Sequence, residues 1–274
     1  MLEATAPTVL VLIDQGAHMN QNFAGVSTWE AVTTALFDAV TGVAWAWEDQ
    51  RAMGLATYTS FNGGAMCPVL SAEAPALVNA AAMEALLSPL VPEDENPTGE
   101  SITAVSTPLL DGPGRRSIVL ITGRNPDTCA TPNPQNGGPE AVAAVTAAQS
   151  LGIDTLVVDV GSVTASLAQE LADVGIGLDP QGQVHAPFWT PANVGMLTSD
   201  LDAILAGLHS CVFDLNQDLP PGGEFSCTVD LDGQPVALDD PDGWQLLTQA
   251  RIEFTGAACR ALIEGAEPLM SCGC

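Results

Sequence analysis

The sequence predicts an α/β protein: a doubly wound, mostly parallel sheet with helices on both faces over residues 1–210, then a small β-rich, disulfide-stapled domain over 211–274. Three observations predict it. Apolar strand-like runs alternate with helix-like segments from residue 8 to residue 210. The strand-like runs, such as Val9-Leu10-Val11-Leu12-Ile13, are apolar at consecutive positions, as in parallel sheets buried on both faces. From Cys211 onward the texture changes to short runs, tight turns and five of the seven cysteines.

The elements follow in order. Residues 8–13 form the first buried strand, ended by Asp14-Gln15-Gly16. Ser27-Thr28-Trp29-Glu30 is a capping-box pattern, and Trp29, Val32, Thr33, Leu36, Phe37 and Val40 then share one helical face. Residues 52–59 read as a second strand, and the Ala/Leu/Met-rich segment 73–88 as a helix. The stretch from Pro92 to Pro97 breaks the pattern before a helix opening at Thr98-Gly99-Glu100-Ser101, with Ile102, Val105 and Leu109 on one face. Residues 117–121 form a strand, followed by a long Asn/Pro/Gly loop from Gly123 to Pro139; structureless segments of that length are functional or tied down. A helix at 140–151, a strand at 153–159, a helix at 164–174, a short edge strand at 183–188 and a helix bearing Leu201, Ile204, Leu205 and Leu208 complete the first domain. In the tail, runs at 211–215, 226–231 and 251–254 are strands separated by turns such as Pro220-Pro221-Gly222-Gly223 and Asp232-Gly233.

Composition narrows the function. Thirty-three acidic residues stand against six basic ones, all arginine, for a formal net charge of −27. Such a polyanion is repelled by phosphate backbones and anionic lipid, which argues against nucleic-acid binding and membrane attachment through basic patches. At 47% hydrophobic residues the chain can build a full core. No apolar run approaches the roughly 20 residues of a membrane helix. No basic segment followed by an apolar one opens the chain, so no signal peptide is visible; the protein is either cytosolic or a mature form without its leader. The cysteines favour the second reading and an extracellular, periplasmic or cell-surface location. Cys67 and Cys129 lie in predicted loops of the large domain and are expected to pair. The five tail cysteines must leave one out. Cys272-Gly273-Cys274 fits a disulfide plus a free or intermolecular cysteine better than a thiol metal clip, and no Cys-x-x-Cys supports a zinc ribbon.

Four segments resemble a von Willebrand factor type A domain. Asp14-Gln15-Gly16-Ala17-His18-Met19-Asn20 stands where that family carries an Asp-x-Ser-x-Ser loop. Asn96-Pro97-Thr98-Gly99-Glu100 supplies a threonine at a helix start. Ile118-Val119-Leu120-Ile121-Thr122-Gly123-Arg124 stands where the family reads strand, Thr, Asp, Gly. Gly152-Ile153 through Val160-Gly161 matches a late core strand. The loop Asn125-Pro126-Asp127-Thr128-Cys129 and the cysteine-rich tail are similar to bacterial surface versions of the domain. The resemblance implies three loops converging at the carboxyl end of the sheet around a metal-ion-dependent adhesion site. There a hard cation, Mg²⁺ or Ca²⁺, takes oxygen ligands and leaves one position for a partner's carboxylate. This sequence keeps Asp14 and Thr98 of five ligand positions. Gly16 and His18 replace the two serines, and Gly123 replaces the later Asp. Imidazole suits softer cations than Mg²⁺, so a repurposed site would use Asp14, His18 and Asp127. The favoured reading is a degenerate, metal-free loop cluster, with Asp14 accepting from loop amides and Thr98 capping its helix.

Other patterns carry less. Asp214-Leu215-Asn216-Gln217-Asp218 begins like a calcium loop but has Leu219 at its sixth position and Phe225 at its twelfth. Asp239-Asp240-Pro241-Asp242-Gly243 reads as a solvated turn before it reads as a weak Ca²⁺ site. Trp45 and Trp47 read as packing at a domain edge before a partner contact. No nucleophile elbow, Walker loop or zinc-protease helix is present. The expected function is therefore a non-enzymatic binding or adhesion module for a protein or glycan ligand, with no nucleic acid and no direct membrane insertion. A structural subunit of a surface assembly is the first alternative, and metal-dependent adhesion through Asp14 and Thr98 the second.

Overall fold

A computed structural model of the protein describes residues 2–61, 65–131, 136–263 and 266–273. In chain order these form β1 (Leu2–Ala4), β2 (Thr8–Asp14), the small hairpin β3 (Asn22–Phe23) and β4 (Val26–Ser27), α1 (Thr28–Phe37), α2 (Val43–Trp47), β5 (Ala52–Phe61), β6 (Met66–Ala76), α3 (Ala80–Leu87), α4 (Thr98–Leu109), β7 (Arg116–Thr122), α5 (Gly138–Ser150), β8 (Ile153–Asp159), α6 (Ala165–Gly175) and α7 (Val194–Gly207). The tail adds β9 (Val212–Leu215), β10 (Cys227–Leu231), β11 (Gln234–Val236), β12 (Trp244–Thr248), β13 (Arg251–Phe254), α8 (Gly256–Ile263) and β14 (Pro268–Cys272). The chain forms two compact units.

The larger unit comprises Thr8–Gly112 and Arg116–Ala206. Its sheet runs β6-β5-β2-β7-β8; every pair is parallel except β5 with the edge strand β6. All seven residues of β2 are buried. Leu10 and Leu12 join Ile118, Leu120 and Val157 under Ile102, Val145 and Leu171 of α4, α5 and α6. Val9, Val11 and Ile13, which point the other way by strand alternation, are no more exposed. Such a strand needs helices on both sides of the sheet, and α1, α3 and α7 bury Leu36, Met83 and Leu201. Parallel pairing brings the carboxyl ends of β2, β7 and β8 to one rim, because Ile13 is level with Ile121 and Thr122 with Asp159.

Several expectations need correction here. The segment expected to be helical from residue 73 is strand β6 up to Ala76, and helix only from Ala80. Pairing with β5 overrides the Ala-rich helix preference, and Pro68 and Pro75 are tolerated because β6 is an edge. Cys67 therefore lies in a strand, not a loop. Val40 leaves the helical face: Asp38 Oδ1 accepts from the amides of Val40 and Thr41, which turns the chain and leaves Val40 91% exposed. No strand forms at 183–188; Asp173 accepts from the Ala186 amide and pairs with His185, and only Trp189 bridges to Val158. Trp45 and Trp47 are half-buried, with their indole N–H groups donating to the Phe37 carbonyl and to Asp202, and Arg51 stacks 4.9 Å over Trp47.

The smaller unit comprises Met1–Pro7, Pro113–Arg115 and Gly207–Cys274. The expected division at residue 210 therefore misses the N-terminal strand: β1 pairs antiparallel with β9 (Leu2 opposite Leu215), and the Thr5 amide donates to the Val212 carbonyl at 2.9 Å. Two antiparallel sheets, β1-β9-β13-β12 and β11-β10-β14, bury Trp244, Ile252 and Phe254, with Phe213 edge-on to Phe254 at 5.4 Å. Helix α8 was not legible beforehand; its Ala258 joins that core. A core this small leans on its cross-links. Cys211 pairs with Cys259 and Cys227 with Cys272, while Cys67 pairs with Cys129 in the larger unit, as expected. Cys274, the cysteine left over, lies outside the described residues. The calcium-loop resemblance at 214–218 is absorbed by ordinary structure: Asp214 lies within β9 and takes Arg251 at 2.8 Å. The acidic turn closes on itself, with Asp240 accepting from the Asp242 amide.

Leu12 is fully buried at the centre of the larger unit's sheet. Leu12→Ala is expected to cost about 2–5 kcal/mol. The urea midpoint of that unit's transition should fall while its slope is unchanged.

Candidate functional site

Three loops leave the carboxyl ends of the strands and knit together. After β2 the chain turns through a single 3₁₀ turn, Ala17–Asn20. The segment before α4 is laced onto it: Glu93 N donates to the Gln15 carbonyl at 2.7 Å, Ala17 N to the Asp94 carbonyl at 3.0 Å, and Gln15 Nε2 to the Val91 carbonyl at 2.8 Å. The loop after β7 joins through Asn96, whose side-chain amide donates to the carbonyls of Arg124 and Asn125 at 3.3 Å each. Ser162 N donates to the Gly123 carbonyl, drawing in the loop after β8. The stretches 14–20, 96–100 and 122–127 thus share one rim, where open α/β sheets bind ligands.

Asp14 is the centre of this rim and is fully buried. Its Oδ1 accepts from Gly16 N at 2.8 Å. Its Oδ2 accepts from His18 Nε2 (2.8 Å), Gly123 N (3.2 Å) and Thr122 Oγ1 (3.3 Å), with Asn96 Nδ2 at 3.5 Å. The expected amide contacts are present, and the carboxylate is saturated by donors from all three loops. Because a carboxylate only accepts, His18 Nε2 carries the shared proton. The His18 ring is itself only 5% exposed, and its Nδ1 has no hydrogen-bond partner among the described residues.

Thr98 does not cap α4 as expected. The cap position is Pro97, with no side-chain cap bond; Thr98 Oγ1 donates to the Asn96 carbonyl at 3.2 Å and shares a hydrogen bond with the Tyr58 hydroxyl at 3.1 Å. Tyr58, which the sequence did not single out, is fully buried beneath the rim. Burial first, then the Asp14 charge, pushes its hydroxyl well above the usual range and keeps it a neutral donor.

Asp127 is 1% exposed. Its Oδ2 accepts from Asn96 N at 3.0 Å, while Oδ1 has no hydrogen-bond partner among the described residues. Burial foremost, with the Glu95 carboxyl and Asp14 adding to it, pushes its pKa up to about 7. The Cys67–Cys129 disulfide and the bond from Cys129 N to Glu100 hold the start of this loop down.

The cation that the resemblance implies does not fit these side chains. Two serine hydroxyls and a carboxylate are missing, and the remaining carboxylate is committed to protein donors. Among the described residues no three His, Cys, Asp or Glu side chains converge as a metal-binding group, so Asp14, His18 and Asp127 do not form one.

Beside this cluster lies an open groove of about 350 Å³, lined by Gln21, Asn22, Thr28, Asp159 and Thr190. Asp159 sits at the carboxyl end of β8; its Oδ1 accepts from the amides of Gly161 and Val163 at 2.9 and 3.3 Å. Burial raises its pKa, against the pull of those two amides. The strand ends made this groove foreseeable, but its composition depends on the β3–β4 hairpin, which no pattern announced.

No family profile matches the sequence, and no curated protein does either. Solved structures do. The PilB minor pilin from Streptococcus sanguinis aligns with a TM-score of 0.55 at 14% identity over 74% of this chain, which spans 61% of the pilin. The pilus adhesin SpaC from Lactobacillus rhamnosus GG gives 0.53 at 11% identity, over 97% of this chain and 38% of the adhesin. A von Willebrand factor type A protein from Catenulispora acidiphila gives 0.51 at 13% identity, over 91% of this chain and 54% of that one.

Asp127 yields a pH test. Its folded value near 7 lies above its ordinary 3.8, so the folded protein keeps a proton that the unfolded chain releases. Its stabilising contribution is complete below about pH 4 and is lost as the pH rises through about 7. Asp127→Asn retains an acceptor for Asn96 N and cannot ionise. Its melting temperature should therefore fall less than the parent's between about pH 4 and pH 8; parallel curves would show that Asp127 does not hold this proton.

By strand order, rim and structural likeness together, the larger unit has the fold of a von Willebrand factor type A domain.

Proposed function

We propose that the protein is a non-enzymatic binding or adhesion module of the cell surface, periplasm or extracellular space. It would present a surface for a protein or glycan ligand at the carboxyl end of the larger unit's sheet, without a metal ion. The observation that carries this reading is the set of donors on Asp14, four from the 14–20 and 122–127 stretches and Asn96 at 3.5 Å from the third, which leaves no open coordination position for a partner's carboxylate. Recognition then falls to the exposed polar loop residues, Asn20, Gln21 and Asn22 among them, and to the groove bordered by Asp159. Three disulfides support an oxidising compartment. The likeness to a pilus adhesin and a minor pilin supports a role in adhesion or surface assembly. Among the described residues, no helix is long and apolar enough to cross a membrane.

A second reading, a subunit of a surface assembly, is supported by the minor pilin likeness. Size measurement in solution separates the two, since a receptor module is expected to run as a monomer.

Titration calorimetry of Mg²⁺, Mn²⁺ and Ca²⁺ into dialysed protein tests the metal-free reading. No saturable heat is expected from the parent, and Asp14→Ala should change nothing in that respect. Micromolar Mg²⁺ binding abolished by Asp14→Ala would replace it with metal-dependent adhesion through Asp14 and Thr98. On immobilised glycan and surface-protein panels, capture should survive a chelator and weaken at least tenfold in an Asn20→Ala/Asn22→Ala variant.

A further inference from the structure

The three departures at positions 16, 18 and 123 are better explained as one device than as three separate losses. A Cβ placed on Gly16 would come 2.6 Å from His18 Cε1 and 2.8 Å from its Nδ1. A Cβ placed on Gly123 would come 3.1 Å from His18 Cδ2, 3.3 Å from its Nε2 and 2.8 Å from Met19 Sδ. The imidazole therefore lies against the backbone at both glycines, the two points from which a serine and an aspartate would reach a cation. A side chain at Gly16 and the ring compete for one space; at Gly123 a side chain meets Met19 Sδ first and the ring second. The ring also makes the contact that a cation would make, because Nε2 sits 2.8 Å from Asp14 Oδ2.

We propose that His18 is a built-in replacement for the rim cation: its imidazole occupies the ion's space on Asp14, Gly16 is glycine to admit it, and Gly123 is glycine where Met19 and the ring together crowd the backbone. The inference rests on the metal-free reading above and adds its cause. A divalent ion binds this rim only if the ring is evicted. Eviction would strip a buried carboxylate of a short hydrogen bond and expose an imidazole now nearly enclosed. It follows that substituting all three positions together opens a site that no single substitution opens. A softer ion could be held from His18 Nδ1, yet no further His, Cys, Asp or Glu converges with it and Asp14 among the described residues.

Two experiments on the full chain test this. The first is a double-mutant cycle read as melting temperature. Gly16→Ser alone meets the ring and should lower it by about 5 °C or more, whereas Gly16→Ser in a His18→Ser background should recover most of that loss. The second is Mg²⁺ and Mn²⁺ titration of the Gly16→Ser/His18→Ser/Gly123→Asp variant, followed by calorimetry and by the rise in melting temperature at millimolar ion. Saturable binding by this variant and silence in the parent are expected. A folded triple variant that is silent to both ions overturns the inference and leaves the metal-free reading standing. If the triple variant does not fold, additive effects in the Gly16/His18 cycle overturn it alone. Mg²⁺ binding by the parent, abolished by Asp14→Ala, overturns the metal-free reading and this inference together. Zn²⁺ binding by the parent that is lost in His18→Ser overturns the inference by making His18 a ligand.

Discussion

A carboxylate removed from water must find donors, and Asp14 is removed completely. It closes the central strand of the sheet, so its position follows from the burial of β2, and its needs then organise everything above it. Gly16, His18, Thr122 and Gly123 all turn a donor toward it, with Asn96 at the limit of reach. Those residues belong to separate loops, so satisfying one carboxylate ties the loops together. In the von Willebrand factor type A pattern a cation would serve that purpose. In this chain, backbone amides, a hydroxyl and an imidazole donate to the carboxylate.

The same rim holds a second buried acid under different terms. Asp127 has one oxygen on the Asn96 amide and Glu95 close by, so protonation relieves it near neutral pH. Two buried carboxyl groups of one rim thus have different surroundings. Asp14 is surrounded by donors, and Asp127 is pushed toward its neutral form by burial and by like charge. Six basic residues in the whole chain leave few cations for neutralising such sites. Protonation and amide donors take over that work.

The two units draw stability from different sources. The larger one buries a five-stranded sheet between helices, and its disulfide ties a loop down rather than a core together. The smaller one has two short sheets around Trp244 and Phe254, with one disulfide joining α8 to the residue before β9 and another joining the paired strands β10 and β14. In the chain-entropy account each such cross-link contributes about 2–4 kcal/mol, a large share of what a core of that size supplies.

Much of this was legible in the sequence because it is local. Consecutive apolar residues announce a strand buried on both faces, Ser27 and Glu30 announce a helix start, and the acid at the end of the first strand with glycines at 16 and 123 announces the rim. What the sequence misread was decided by partners distant in the chain: β6 became a strand because β5 offered an edge, and β1 went to the smaller unit because β9 did. Asp173 claimed the segment expected to be an extra strand, and Thr98 turned to Tyr58 instead of capping its helix. The sequence by itself determined that His18 and two glycines stand where metal ligands are expected. Only the tertiary structure decided that these are a single arrangement, because whether a ring fits against two backbone positions more than a hundred residues apart depends on strand register, and register is set by packing across the whole sheet.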